Sequence, residues 1–386
     1  MAIDLDRWRS EFPMISERER VHLDNALVAP IPERGIEARR EFERICIQVP
    51  HPWWEWRDAI AEAKERFAGL INASPEEIAV LTSVTQSIAQ LTSAIEYEPG
   101  DEIVTTELEF PTLLQFWEAQ RRRRDVEIKL AKSPNEEFVP VEAYADVITD
   151  DTRLVCTSHA FSATGGLMDP KPVADLVHDR GGYFVLDAYQ SLGIVPIDVE
   201  KQDIDILVTG VLKFLFGGPG IAFMYVDGDL ISEFEPPSMG WFSTDYRFET
   251  ESPEYAPDAS RFQFGTPPIP NAYQASAGLS IIQEVGPETI YERVTEHTNH
   301  LIEGARRRGF DVSTPTDPDR RTGIVTIDVE DPEGVYETLS EDGFNVSRLG
   351  DDVGFVQGVR LSPHFYTTAE EIEAALDAVE RHATPL

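Results

Sequence analysis

The sequence predicts an α/β fold, and three observations carry that prediction. Short apolar runs of strand length, at 78–81, 102–105, 153–157, 183–186, 204–208 and 221–226, alternate with stretches of helical period. Turns rich in glycine and proline separate them, most clearly Gly217, Gly218, Pro219 and Gly220 before the run 221–226. At 386 residues, 41% of them apolar, the chain can bury a sizeable core and fits one large domain plus a smaller one.

From the amino terminus, 3–12 reads as a short helix and VHLDNALVAP follows at 21–30. Helical patterns cover 33–47 and 53–70, the second opening with HPWWEWR. Trp53, Trp54 and Trp56 exceed the needs of one helix face, so they line an entrance or a subunit contact, or pack on the large domain. Ser74 begins the helix cap SPEE, with Pro75 at the first helical position. The strand 78–81 then runs into TSVTQSIAQ at 82–90, where small hydroxyl residues open a helix. Free backbone N–H groups converge there, as an anion site or as an ordinary Ser/Thr cap. After the strand 102–105 comes TELEFPTLLQFW at 106–117, a helix beginning near Pro111. The arginine run 121–124 ends that helix and complements its dipole. SHAFSATGGLMDP at 158–170 follows the strand 153–157 and leads to a helix. Beyond 226 lie the loops 239–248 and 260–270, then long amphipathic patterns at 272–284 and 287–308. The rest reads as the smaller domain: strand 323–329, helix 332–341, strand 354–361 and helix 369–381.

Chemistry concentrates between Gly181 and Val226. The run 183–186 ends in Asp187, with Gln190 three residues on, and the run 204–208 hands the chain to Gly210 and Lys213. Ligands of open α/β sheets sit where strands end, so a carboxylate and an amine there form a plausible reactive pair. Pyridoxal phosphate (PLP) catalysis needs such a pair: a lysine holds the aldehyde as a Schiff base and a carboxylate keeps the pyridine nitrogen protonated. Of the lysines at 64, 129, 132, 171, 201 and 213, only Lys213 follows an apolar strand and precedes a Gly-rich turn. The other reading is a solvated loop lysine beside an aspartate that caps a turn.

Composition narrows the classes. Seventy acidic residues against 33 basic ones give a formal charge of −37, spread along the chain, which leaves nucleic acid no basic face and suggests a salt-adapted source. No apolar run approaches a membrane span, and the charged start MAIDLDRWRSEF is no signal peptide, so a cytoplasmic location is expected. Cys46 and Cys156 offer neither a disulfide framework nor a metal cluster.

With these residues in place, the pattern resembles the class V aminotransferases, the PLP fold-type I branch that includes cysteine desulfurases and kynureninases. The resemblance implies a mostly parallel seven-stranded sheet in a large domain at 31–285, a smaller α+β domain at 286–386, and a segment 1–30 contributing to the active site. It implies that Lys213 carries the cofactor, Asp187 pairs with the pyridine nitrogen and Gln190 contacts the phenolic oxygen. Val84, Thr85 and Gln86 match the family's phosphate-binding positions, and Thr209 is a candidate for one more contact. Phe110 falls where a flat side chain covers the ring, and Ser162 where desulfurases place a ring-contacting asparagine. Gly265 and Thr266 match a pair that reaches the phosphate of the neighbouring subunit, which implies a homodimer with shared sites. Arg360, in VRLSPHFYTT at 359–368, matches the arginine that binds a substrate α-carboxylate, and Asn25 lies in a segment close to the active site. The implied substrate is therefore an α-amino acid.

Two departures stand out. Many members have Ser-x-His-Lys where this chain has Gly210, Val211, Leu212 and Lys213, and no cysteine occurs in 309–360, where a desulfurase needs its nucleophile. An aminotransferase-type reaction is expected, with a kynureninase-like or other lyase or epimerase, or a PLP-fold protein without turnover, as alternatives.

Overall fold

The computed structural model describes residues 3–17, 20–245, 250–350 and 355–386. Seven strands form the main sheet in the order Ile78–Leu81, Ala222–Val226, Ile206–Gly210, Tyr183–Asp187, Thr152–Ser158, Glu102–Thr106 and Glu127–Ala131. Ala222–Val226 is antiparallel to both neighbours, and every other pairing is parallel.

The sequence makes this sheet because its strands are apolar on both sides. Phe184 and Leu186 pack into the core on one face, while Val185 points into the core on the other. Helix Trp53–Ile71 covers the first face, where Phe67 stacks on Phe223 with centroids 4.6 Å apart. Asn72 ends that helix in the left-handed region, which its short polar side chain tolerates. The Ser74 cap forms as a capping box with Glu77, opening a 3-10 turn at Pro75–Glu77.

The carboxy-terminal part builds a separate core around Leu301, Ile327, Val359 and Leu376. Its three-stranded antiparallel sheet, Ser347–Leu349, Gly358–Leu361 and Val325–Asp328, is flanked by helices Pro287–Arg307, Pro332–Glu341 and Ala369–His382. The amino-terminal segment is stitched to it. Val21–His22 pairs with Phe344–Asn345, and Arg9 makes two hydrogen bonds to Glu371, at 2.9 and 2.7 Å.

Several element boundaries differ from the sequence reading. The strand expected at 204–208 is Ile206–Gly210, because Asp203 turns left-handed after the short helix Val199–Gln202 and Ile204 bonds back to Val199. The strand expected from 354 spans Gly358–Leu361, and Gly354 lies outside the described residues, as do 246–248 of the loop 239–248. The helix at 3–12 is Leu5–Ser10, and the strand at 323–329 is Val325–Asp328. The arginine run 121–124 serves side chains more than the helix end: Arg121 and Arg122 both pair with Glu118, and Arg124 lies over the Tyr97 ring.

Candidate active site

Parallel strands deliver their carboxy-terminal ends to one edge of the sheet, and there the chain encloses a cavity of about 390 Å³, within the ~300–1,000 Å³ typical of ligand sites. Asp187 ends the strand Tyr183–Asp187, and Lys213 lies three residues past Ile206–Gly210, the next strand. The turn after Lys213 is held by a bond from Gly217 N–H to the Val211 carbonyl, and a Cβ at 217 would meet Val211 Cγ2 at 2.4 Å. Glycine is required there by contact.

The amine of Lys213 points between two rings, 4.3 Å from the centroid of Tyr189 and 6.0 Å from that of Phe110. Burial, reinforced by the Arg360 charge, lowers its pKa from 10.5 to about 7, against the opposing pull of Asp187 and Asp24. Burial pushes Asp187 up to about 6, although the Tyr189 N–H donates to its Oδ1 at 2.9 Å and Lys213 favours its charge. Both groups are thereby poised near neutrality, as acid–base and nucleophilic roles require.

Other walls supply polar anchors. Ser83 caps helix Val84–Ala94, accepting from Gln86 N–H at 3.2 Å, and Thr82, Ser83, Val84 and Thr85 line the cavity at that helix end. Gln190 donates through Nε2 to the Ala26 carbonyl at 3.2 Å, which leaves its buried Oε1 without a partner. Arg360 is 6% exposed; its Nη1 donates to the Ser162 carbonyl at 2.8 Å and its Nη2 to Ser347 Oγ at 3.1 Å. Asp24 stands 4.0 Å from it, and the buried Nε has no partner.

The cavity therefore gathers Val84, Thr85, Phe110, Ser162, Asp187, Gln190, Lys213 and Arg360 of the residues singled out from sequence. It does not gather five others. Asn25 is fully buried, with its Oδ1 taking the Tyr366 hydroxyl at 2.7 Å and its Nδ2 donating to Ser362 O at 2.8 Å, so it braces the segment behind the wall. The Gln86 side chain folds back onto Thr82, and the Thr209 hydroxyl donates to the Gly210 carbonyl at 3.1 Å. Gly265 and Thr266 are exposed and lie outside this chain's own cavity.

Sequence reasoning missed Tyr189, Ser158 and the apolar lining from Leu27, Ile88, Leu113 and Phe116. Ile88 follows Val84 by four residues on one helix, a spacing that would have placed it on the same face. Tyr189 sits between the two residues that were chosen.

These groups fit pyridoxal phosphate: an amine of lowered basicity, a strand-end carboxylate, hydroxyls at a helix amino terminus, and unpaired Gln190 Oε1 and Arg360 Nε. Residues 21–375 match the model of the family Aminotransferase class-V. The chain belongs to that family. It is thus a PLP-dependent enzyme of fold type I, acting on an amino-acid substrate. It is 31% identical over 327 residues to an uncharacterized aminotransferase of Bacillus subtilis, YcbU, covering 84% of this chain and 85% of that one. It is 27% identical over 404 residues to a probable cysteine desulfurase of Halobacterium salinarum, with 98% and 96% covered. A kynureninase of Bacillus thuringiensis is 28% identical over 356 residues, with 88% and 79% covered. Among solved structures, a cysteine desulfurase from Thermococcus onnurineus superposes with a TM-score of 0.89 at 23% identity, covering 99% of this chain and 98% of that one. That likeness establishes the fold. Among the described residues no helix is long and apolar enough to cross a membrane.

Proposed function

We propose that this class V enzyme transfers the amino group of an α-amino acid, with Lys213 carrying the cofactor and Arg360 receiving the substrate carboxylate. The observation that carries this reading is the Lys213 amine, set between Tyr189 and Phe110 next to Asp187, with its pKa lowered to about 7. Bound pyridoxal phosphate supplies an electron sink for charge developing on the substrate α-carbon.

The chain's residues do the rest. Asp187 would hold a proton on the ring nitrogen, and Gln190, with its Oε1 unpaired, would meet the phenolic oxygen. The hydroxyls of Ser83 and Thr85, with the free N–H groups at the start of helix Val84–Ala94, would hold the phosphate. Phe110 covers the ring but cannot move a proton, so Lys213 moves protons to and from the α-carbon. The planar guanidinium of Arg360 suits a two-pronged grip on a carboxylate.

We further infer a homodimer with shared sites. Gly265 and Thr266 are exposed beside Phe264, and Leu27 and Phe110 leave exposed apolar surface at the cavity. A lyase of kynureninase type is the second reading, favoured by the aromatic at 110 in place of a histidine. Sulfur transfer from cysteine is disfavoured because 309–360 contains no cysteine.

The test is to purify the protein with cofactor, follow its absorption at the edge of the visible, reduce with borohydride and locate the adduct by mass spectrometry. An adduct on Lys213, lost in Lys213→Ala, supports the reading; an adduct elsewhere, or none at saturating cofactor, overturns it. A panel of amino acids then separates the reactions by product: a keto acid for transfer, alanine with anthranilate for the lyase. Sedimentation of the same sample as a monomer would refute the dimer.

A further inference from the structure

Behind the cavity wall, next to the lining residues Ser158 and Phe110, lies a carboxyl group to which the reaction above gives no part. Glu109 is 4% exposed, on the loop between the strand Glu102–Thr106 and the helix Pro111–Arg121. Its Oε1 accepts from Thr106 Oγ1 at 3.0 Å, Thr157 Oγ1 at 2.9 Å and Ser158 N–H at 3.0 Å. Its Oε2 accepts from Ser158 Oγ at 2.5 Å and, at 3.2 Å, from the same N–H. Every donor comes from the end of a sheet strand, and among the described residues no cation pairs with it. A buried carboxylate without a counter-ion is costly, and a purely structural brace of this kind works without a charge.

What lies on either side gives the charge a use. Ser158 lines the cavity and is in register with Asp187 across the parallel pair Thr152–Ser158 and Tyr183–Asp187. On the other side the next residue is Phe110, whose ring overhangs Lys213. Thus one carboxylate grips the serine beside Asp187 and anchors the aromatic that faces it across the cavity. Of the titratable groups near Glu109, burial keeps Tyr144 and Cys156 protonated and uncharged, so Asp187 is the one charge that acts on it; burial with Asp187 nearby pushes Glu109 up to about 7. A cation placed beside Asp187 would favour the charged forms of both carboxyls.

We propose that Glu109 is a positioning residue for the cofactor: through Ser158 and Phe110 it fixes the two faces of the ring site, and its charge adds to that of Asp187 in favouring a protonated ring nitrogen. This rests on the reading of the cavity as a pyridoxal phosphate site. A negative charge near a protonated ring raises the pH at which the bound cofactor loses its proton.

The experiment compares wild type, Glu109→Gln and Glu109→Asp. Pyridoxal phosphate is titrated into the cofactor-free chain by fluorescence quenching, and the absorption of the loaded protein is followed against pH. Glu109→Gln, similar in size but uncharged, is expected to loosen the cofactor roughly tenfold and lower the spectral midpoint by about one pH unit. Glu109→Asp, which keeps the charge, is expected to restore most of the midpoint while binding more weakly. An unchanged midpoint and an affinity within twofold of wild type in Glu109→Gln would reduce Glu109 to a brace. If Glu109→Gln fails to fold, Ser158→Ala removes the linking hydroxyl alone; weaker cofactor binding there supports the proposal, and an affinity within twofold of wild type overturns it. If wild type takes up no cofactor, the site reading itself has failed.

Discussion

Replacing Lys213 by methionine in the cofactor-free protein should stabilise it at neutral and acid pH and leave it little changed in strong alkali. The fall in the Lys213 pKa from 10.5 to about 7 means that burial penalises the charged amine, and at about 1.4 kcal/mol per unit the penalty has an upper bound of about 5 kcal/mol. Below pH 7 the amine is charged in both folded and unfolded chains, so the fold bears the full penalty. Between pH 7 and 10.5 the unfolded chain holds the proton and the folded chain does not, so wild-type stability rises with pH across that window. Above 10.5 both forms are neutral and the penalty is gone. Methionine fills similar space without a charge, and the variant should exceed wild type by about 2–5 kcal/mol at pH 6.5 and by less than about 1 kcal/mol at pH 10.5.

Chemical denaturation followed by tryptophan fluorescence reads this at constant ionic strength, and titrations common to both proteins cancel in the difference. Asp187 works in a separate, acid window. Its pKa is raised from 3.8 to about 6, so its contribution falls as pH rises through that interval, mostly below the lysine window. A gap between variant and wild type that does not change from pH 6.5 to 10.5 would refute the claim that Lys213 sits uncharged in a desolvated pocket. Saturation of wild type with pyridoxal phosphate should abolish the slope, because the amine is then no longer free to titrate.

Arg360→Lys should lower kcat/KM for amino acids by roughly 30- to 1,000-fold, the cost of losing a buried two-pronged carboxylate contact, while cofactor affinity measured by fluorescence stays near wild type. Phe67→Ala should cost about 3–5 kcal/mol at any pH, since it removes a fully buried ring stacked on Phe223; a loss under about 1 kcal/mol would mean that the helix repacks on the sheet. With a formal charge of −37, the melting temperature should fall as potassium chloride is lowered from about 2 M to about 0.1 M. Undiminished stability in dilute buffer would argue against salt adaptation.

The parts of the site legible in the sequence are those where a doubly buried strand stops. Tyr183–Asp187 reads as an apolar run because both faces are covered, and Asp187 shows itself by ending the run. The edge strand Glu127–Ala131 was invisible for the opposite reason: partly exposed, it carries Lys129, which pairs with Glu102 and Glu127, and so looks like charged loop. Strands of two or three residues, such as Phe344–Asn345 and Ser347–Leu349, give no periodicity to detect. Contacts between distant segments were equally hidden. Glu109 looks like one more acid in an acidic chain until donors from residues 157 and 158 close on it. Asn25 reads as a site residue until Tyr366 and Ser362, more than 300 positions on, consume its amide.

The departure at Gly210 now has a physical cause. A Cβ at 210 would stand 2.7 Å from the Tyr189 ring, too close for any side chain unless that ring moves. Tyr189 in turn forms one wall against which the Lys213 amine rests, and its own N–H holds Asp187. A serine at 210 would therefore require the Tyr189 ring to move from this position. The apolar Leu212 also lines the cavity where the family pattern has a histidine. In the proposed reading, phosphate holding then rests on Ser83 and Thr85 at the start of Val84–Ala94. A free helix end supplies N–H donors without any side chain, which is why the site can dispense with those two contacts and still present an anion hole.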